Sequence, residues 1–278
     1  MTDPVVATDW LAERLSDPDI CVIDCTLPLV GHPGTGREIY DSGHIPGAIF
    51  FDINAVADLE SDLPHMLPSP AAFAAAASEM GLGRSRTIVT YDAHGLYSAP
   101  RVWWTFRAMG YSSVFVLDGG LKAWRAEGRP VETSPAHLSP MHVSARHDAS
   151  IVADIIQVRR HLAEGSAQVV DARSAARFRG EAPEPRAGLR SGHMPGALNV
   201  PFDRVVDPEG RLKDADDLRR IFAGVDLGRP IITTCGSGVT AAVLALALAR
   251  LGRSDVAVYD GSWTEWAGRS DTEIVTGD

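Results

Sequence analysis

The sequence predicts an α/β protein made of two copies of one unit, each a mainly parallel sheet with helices on both faces. Short β-branched runs alternate along the chain with Ala-rich helical stretches, the signature of strand–helix crossovers. The strand candidates are continuously apolar, as strands covered on both faces must be. The third observation is a duplication. SGHIPGA at Ser42–Ala48 returns as SGHMPGA at Ser191–Ala197, and other landmarks repeat in the same order at nearly the same spacing. These are Val22-Ile23-Asp24 with Val169-Val170-Asp171, Asp118-Gly119-Gly120 with Asp260-Gly261-Ser262, and Trp124 with Trp266.

In the first copy the β-branched runs Ile20–Cys25, Ala48–Ile53, Thr87–Tyr91 and Ser113–Leu117 are the expected strands. Between and after them Ser69–Met80, Ser98–Met109 and Gly120–Glu127 are the expected helices. The second copy repeats the pattern with strands at Gln168–Asp171, Ala197–Val200, Pro230–Thr234 and Asp255–Tyr259. Its helices are expected near Ile151–Glu164, Asp214–Phe222, Val239–Leu251 and Ser262–Trp266. The domains are then residues 1–133 and 150–278, joined by a linker at 134–149. Thr133–Ser150 has two prolines and no sustained apolar period, and its His137, His142 and His147 share no face of a helix or strand. It reads as exposed linker with solvated histidines.

Composition narrows the function. The 278 residues are 45% hydrophobic and 22% charged, which suits a globular chain and excludes a disordered or collagen-like one. With 26 basic against 36 acidic residues the net charge is −10, which argues against nucleic acid or an anionic membrane as partner. The longest apolar run, Val239–Ala249, is about half of what a membrane span needs. The N-terminal MTDPVVATDW lacks the basic and then apolar stretch of a signal peptide, so a soluble, cytoplasmic protein is expected. Three cysteines make no disulfide framework and leave at least one thiol to explain.

That thiol is Cys235. In PIITTCGSGVTAAVLALALARL, Pro230–Leu251, a buried strand runs into Cys235, a Gly236-Ser237-Gly238 turn, and an apolar helix from Val239. In a parallel sheet the site lies outside the carboxyl ends of the strands, which is where this cysteine falls. The glycines let the backbone turn tightly enough for successive N–H groups to point inward. Together with the helix dipole they stabilise an anion, thiolate and charged sulfur adduct alike. A buried core cysteine is the competing reading, and the adjacent glycines, serine and helix start argue against it. The first copy is an internal control: Thr87–Asp92 aligns with Pro230–Cys235, so Asp92 stands at the cysteine's position, and a carboxylate does no thiol chemistry. Cys21 and Cys25 are read as small core residues, too far apart on one strand for a disulfide or a shared metal. Arg173, Arg177, Arg179, Arg186 and Arg190 follow the strand Gln168–Asp171 at the same sheet edge as Cys235. One or two of them can anchor a substrate carboxylate, while pairing with Glu181 and Glu184 is the alternative.

These motifs resemble the tandem-domain rhodaneses, nearly end to end. H-[IM]-P-G-A in both copies, YSAPRVWW at Tyr97–Trp104, DGGLKAW at Asp118–Trp124, YDGSWTEW at Tyr259–Trp266 and Cys235-Gly236-Ser237-Gly238-Val239-Thr240 carry the resemblance. The last string is similar to the 3-mercaptopyruvate sulfurtransferase branch, because the thiosulfate-preferring branch usually has basic residues where Gly236 and Ser237 stand. Thiosulfate, a compact dianion, gains from fixed positive charge that this neutral loop does not offer. The resemblance implies that Cys235 carries sulfur as a persulfide with no metal or organic cofactor. It implies Arg177 and Arg186 on the substrate carboxylate and keto oxygens, and Gly236, Gly238, Val239 and Thr240 as the rest of the binding loop. It implies a relay of Ser237 with His44; no Asp stands between Val30 and Arg37, so Glu38 or Asp41 substitutes as the acidic member or the relay is incomplete. The acceptor is expected to be a thiol such as reduced thioredoxin, or cyanide. Thiosulfate as donor is the alternative, and a non-catalytic sulfur carrier a more distant one. A cysteine phosphatase is disfavoured because position 241 is Ala where an arginine would clamp phosphate.

Overall fold

The computed structural model describes residues 3–278 and contains two five-stranded parallel sheets of identical strand order. The first comprises β1 (Val5–Val6), β2 (Ile20–Asp24), β3 (Ile49–Phe50), β4 (Thr87–Tyr91) and β5 (Val114–Leu117), in the order β1-β5-β4-β2-β3. Its helices are α1 (Thr8–Ala12), α2 (Gly36–Asp41), α3 (Pro70–Glu79), α4 (Ala99–Ala108) and α5 (Gly120–Ala126). The second comprises β6 (Val152–Ala153), β7 (Gln168–Asp171), β8 (Leu198–Asn199), β9 (Ile231–Thr234) and β10 (Ala257–Tyr259), in the order β6-β10-β9-β7-β8. Around it lie α6 (Ile155–Glu164), α7 (Ala175–Phe178), α8 (Ala215–Ile221), α9 (Ala241–Arg250) and α10 (Ser262–Gly268). β4 and β9 are the central strands, and their registers correspond: Val22 faces Val89 as Val169 faces Ile232. A loop leaving a central strand is flanked on both sides, which favours it as a site.

The apolar strands pack as expected. Leu11, Val22, Val89, Tyr91, Leu117 and Trp124 form one core, and Val158, Val169, Met194, Tyr259, Trp263 and Trp266 the other. Several elements depart from the sequence reading. The edge strands β1 and β6 have two residues each, too short for periodicity to mark them. Ala48–Ile53 shrinks to β3, paired on one side only. The helix expected from Ile151 begins at Ile155, because Asp154 and Gln157 close a reciprocal capping box at 2.8 and 2.9 Å. Val152 and Ala153 are thereby free to pair with Val258 and Tyr259.

Two compact units emerge, and their borders are more interwoven than the duplication suggests. One contains the chain up to Glu60, Leu67–Asp148 and the short segment Val206–Leu212. The other contains Ala149–Val205, Lys213–Asp278 and the six-residue segment Ser61–Met66. Most of the stretch read as a linker is a strap on the first unit. Met141 N–H donates to Ser78 O at 3.0 Å, Arg146 N–H to Met109 O at 3.1 Å and Asp148 N–H to Ala108 O at 2.8 Å, and Val143 is buried. The segment is mostly exposed, its three histidines included, while its backbone hydrogen bonds hold it to the first unit. Among the described residues no helix is long and apolar enough to cross a membrane.

Candidate active site

Cys235 follows the last residue of β9, and three peptide units around it are tied on the sides away from the thiol loop's interior. Thr234 O accepts from Ala172 N at 2.8 Å, Cys235 O from Trp263 N at 2.9 Å, and Gly236 O from Thr264 N at 3.0 Å and from its hydroxyl at 2.6 Å. In a trans peptide the N–H points opposite to the C=O. The N–H groups of Gly236 and Ser237 therefore face away from α10, the helix that holds the two carbonyls. Gly238 then turns the chain with φ +76°, a left-handed conformation that glycine adopts without a Cβ clash. The backbone N–H groups of Gly236, Ser237, Val239 and Thr240 donate to no atom among the described residues. Thr240, the N-cap of α9, makes no side-chain cap bond, so the positive end of the helix dipole is uncompensated by its own cap. Cys235 is 1% exposed and Ser237 8%. In so dry a setting backbone dipoles act with little screening.

The first unit shows what such a loop holds. Asp92 occupies the same place after β4, and its two carboxyl oxygens accept from His94 N at 2.9 Å, Tyr97 N at 2.9 Å, Ser98 N at 2.8 Å and Ala99 N at 2.8 Å. The strand–loop–helix turn is an anion cradle, and in this copy a side chain of the loop fills it. In the second copy a thiol stands where that carboxyl begins. The other two thiols offer no rival. Burial pushes the Cys25 thiol well above its ordinary pKa, with Asp24 and Asp92 adding to it, and burial also raises that of Cys21.

The five arginines separate into distinct jobs. Arg173 is buried against Trp263, its guanidinium 4.0 Å from the ring centroid. It bonds both oxygens of Asp171, at 3.0 and 3.2 Å from Nε, and reaches Glu184 at 2.8 Å. Burial opposes its charge, but Asp171 and Glu184 outweigh that and hold its pKa above the ordinary value. Glu184 also bonds Arg177 through Nε at 3.3 Å and through a terminal nitrogen, so the buried acid joins two guanidinium groups. Arg177 NH2 lies 3.2 Å from where a Cβ at Gly236 would stand, which puts this guanidinium directly on the Cys235 loop. Arg179 pairs with Glu181 at 2.8 Å on the surface, and Arg190 binds the carbonyls of Ala267, Thr272 and Arg269 at the end of α10. Arg186 is exposed and makes no hydrogen bond or ion pair among the described residues. Of the two arginines expected to grip substrate, Arg177 adjoins the loop and Arg186 stands free in solvent.

His44 and His193, the repeated pair, are held alike, each within its own unit. His44 is fully buried in the first unit, stacked on Tyr40 at 3.7 Å, with Nδ1 on Tyr40 O at 2.9 Å and Nε2 on Ser134 O at 3.2 Å. His193 does the same in the second unit, stacked on Phe178 at 3.7 Å with Nδ1 on Phe178 O at 2.9 Å. Each also closes a two-residue bridge, His44 with Glu132 and His193 with Val275. The repeated histidine is a bolt in a repeated turn, its ring already committed. Glu38 takes part in the capping box of Thr35, and Asp41 pairs with Arg37 at 2.9 Å on the surface.

The sequence reading passed over His65. It sits in Ser61–Met66, the segment that belongs to the second unit, and it is one of two non-glycine residues with a left-handed backbone among the described residues, φ 62°. Its Nδ1 is buried. Strain of this kind collects at functional sites. The signal available in the sequence was PHMLP, a histidine between apolar and proline residues in an otherwise polar loop.

The geometry defines a parallel-sheet protein with a buried cysteine at the head of a glycine-turned loop that leads into a helix, and comparison with known families identifies the fold. The model of the rhodanese-like domain matches residues 7–127 and again 155–269, and the chain belongs to that family in two copies. It is 45% identical over 272 residues to the 3-mercaptopyruvate sulfurtransferase of Escherichia coli K12, covering 97% of this chain and 96% of that protein. It is 43% identical to thiosulfate/3-mercaptopyruvate sulfurtransferase 2 of Arabidopsis thaliana, covering 98% and 86%. The crystal structure of SseA from Escherichia coli, a 3-mercaptopyruvate sulfotransferase of the rhodanese fold, superposes with a TM-score of 0.87 at 44% identity, covering 94% of this chain and 99% of that one.

Proposed function

We propose that this protein is a 3-mercaptopyruvate sulfurtransferase in which Cys235 carries the sulfur. The Cys235 thiolate attacks the sulfur of 3-mercaptopyruvate. The carbon–sulfur bond breaks, its electron pair stays on carbon, and the resulting enolate of pyruvate takes up a proton. The outer sulfur of the Cys235 persulfide is then attacked by a thiol such as that of a reduced thioredoxin, or by cyanide to give thiocyanate, and the Cys235 thiolate leaves. Arg177 meets the donor's carboxylate beside the loop, and Arg186 is assigned its keto side. The loop N–H groups from Gly236 to Thr240 stabilise the anionic sulfur. A thiol that must cycle through its reduced state fits a reducing compartment such as the cytoplasm.

The observation that carries the reading is a neutral loop with uncommitted N–H donors and one guanidinium at its edge. That charge layout suits a donor whose carboxylate stands apart from its sulfur better than the compact thiosulfate dianion. Steady-state rates with the two donors, cyanide as acceptor, test it. We expect kcat/KM for mercaptopyruvate to exceed that for thiosulfate by at least about tenfold. The reverse ratio would make the protein a thiosulfate sulfurtransferase.

For the proton that the enolate needs, we assign His65. Of the other histidines in the second unit, His193 is buried on Phe178 and His161 is half-buried and tied to Ser166 at 2.8 Å. His65→Asn is expected to lower kcat with mercaptopyruvate by about a hundredfold, within the usual range for a general acid, with KM little changed. Unaltered kcat would remove His65 from the mechanism.

A further inference from the structure

Ser262 opens α10 with φ 50°, a left-handed backbone that a serine adopts only under constraint. The residue is fully buried, and its hydroxyl makes two bonds: it donates to Tyr259 O at 2.7 Å and accepts from Cys235 N at 3.3 Å. The duplication provides the comparison. At the same place in the first unit stands Gly120, also left-handed at φ 54°. There a Cβ would collide with Asp92 O and come within 2.8 Å of Gly95 O. The neighbouring backbone bond is kept in both units: Leu121 N donates to Asp92 O at 3.0 Å, and Trp263 N to Cys235 O at 2.9 Å. The turn therefore forms without a side chain, and glycine forms it without strain. The serine of the second unit adds strain and adds one thing in return, a hydroxyl on the amide of the nucleophilic cysteine.

We infer that Ser262 is a positioning residue for sulfur transfer, fixing the peptide that carries Cys235 at the expense of a strained backbone. Thr234 O is held by β7 and Cys235 N by Ser262, so the Thr234–Cys235 peptide is gripped from both sides. Cys235 O and Gly236 O are held by the next two residues of α10, which turns the following N–H groups toward the opposite side. Ser262 is the first link of that series, and the only one made by a side chain to the cysteine's own amide among the described residues.

This rests on the proposed reaction for one readout and is independent of it for another. Ser262→Gly removes the hydroxyl and the strain together, whereas Ser262→Ala removes the hydroxyl and keeps the strain. Three properties are measured for both variants and the wild type. They are melting temperature, single-turnover pyruvate release from mercaptopyruvate, and the rate of Cys235 alkylation by iodoacetamide followed by mass spectrometry at neutral pH. We expect Ser262→Gly to melt at or above the wild-type temperature and Ser262→Ala below it. Both variants lose about tenfold in single-turnover rate, the equivalent of one hydrogen bond at a reacting centre, and Cys235 alkylation slows in both. Wild-type rates in Ser262→Gly would overturn the inference. So would a large fall in its melting temperature, because the hydroxyl would then serve the fold. A wild-type protein that ignores mercaptopyruvate would refute the proposed donor, while the alkylation comparison would still decide the role of Ser262.

Discussion

Cys235→Ser is expected to fold and melt like the wild type and to lose sulfur transfer by at least about ten-thousandfold, the scale of a missing nucleophile. The substitution exchanges one atom in a site that is 1% exposed, so packing changes little. Chemistry changes entirely, because the serine hydroxyl stays protonated near neutral pH and an oxygen in its place leaves no sulfur–sulfur bond to form. Cys21 and Cys25 cannot compensate. Both are buried in the first unit with their thiols pushed up by burial, and Cys25 also faces the negative ends of Asp24 and Asp92. Incubation with mercaptopyruvate should add one sulfur to the wild-type chain, on the peptide containing Cys235, and none to the variant. Equal pyruvate release by both would sink the assignment of the nucleophile.

The parts of this site that could be read from the sequence are those whose chemistry is local. The strand, cysteine, glycine turn and apolar helix of Pro230–Leu251 are contiguous, and β9 and α9 lie where the pattern places them. Asp92 was identified as the cysteine's counterpart by the duplication alone, and its four backbone donors explain why a carboxylate belongs there. What depended on distant partners was not legible. Five arginines in a row carry no label that sends Arg173 into the core beneath Trp263, Arg177 onto Gly236 and Arg190 to the end of α10. His44 entered through the family resemblance, and its recurrence at His193 points to a structural job, which the matching ring stacks in the two units support. His65 belongs to no repeat, and only the folding of Ser61–Met66 into the second unit brings it forward.

The second large effect is expected far from any thiol. Asp92→Ala should lower the stability of the first unit by about 4–6 kcal/mol, since four buried or half-buried N–H groups lose a charged acceptor together. Three of them, on Tyr97, Ser98 and Ala99, lead into α4, whose N-cap Ser98 makes no side-chain cap bond. Its hydroxyl is already donated to Cys25 O at 2.8 Å. No local substitute for the carboxyl therefore exists, and the helix dipole would point at an unfilled cradle. Against a typical total of about 5–15 kcal/mol this is a large fraction, and the melting transition of the first unit should drop by about 10 °C or more. Hydrogen exchange locates the damage: amides 94 and 97–99 should lose protection first. Asp92→Asn, which keeps an acceptor oxygen but turns donors toward donors, should fall between. An Asp92→Ala protein that melts like the wild type would mean that the first unit's loop does not depend on its carboxyl. The claim that both loops are anion cradles, one filled by a side chain and one by sulfur, would then lose its internal control. If the loss appears as predicted, backbone donors at the end of a central strand are shown to hold an anion in one copy of the repeat, which supports the same role for the shorter loop after Cys235 in the other.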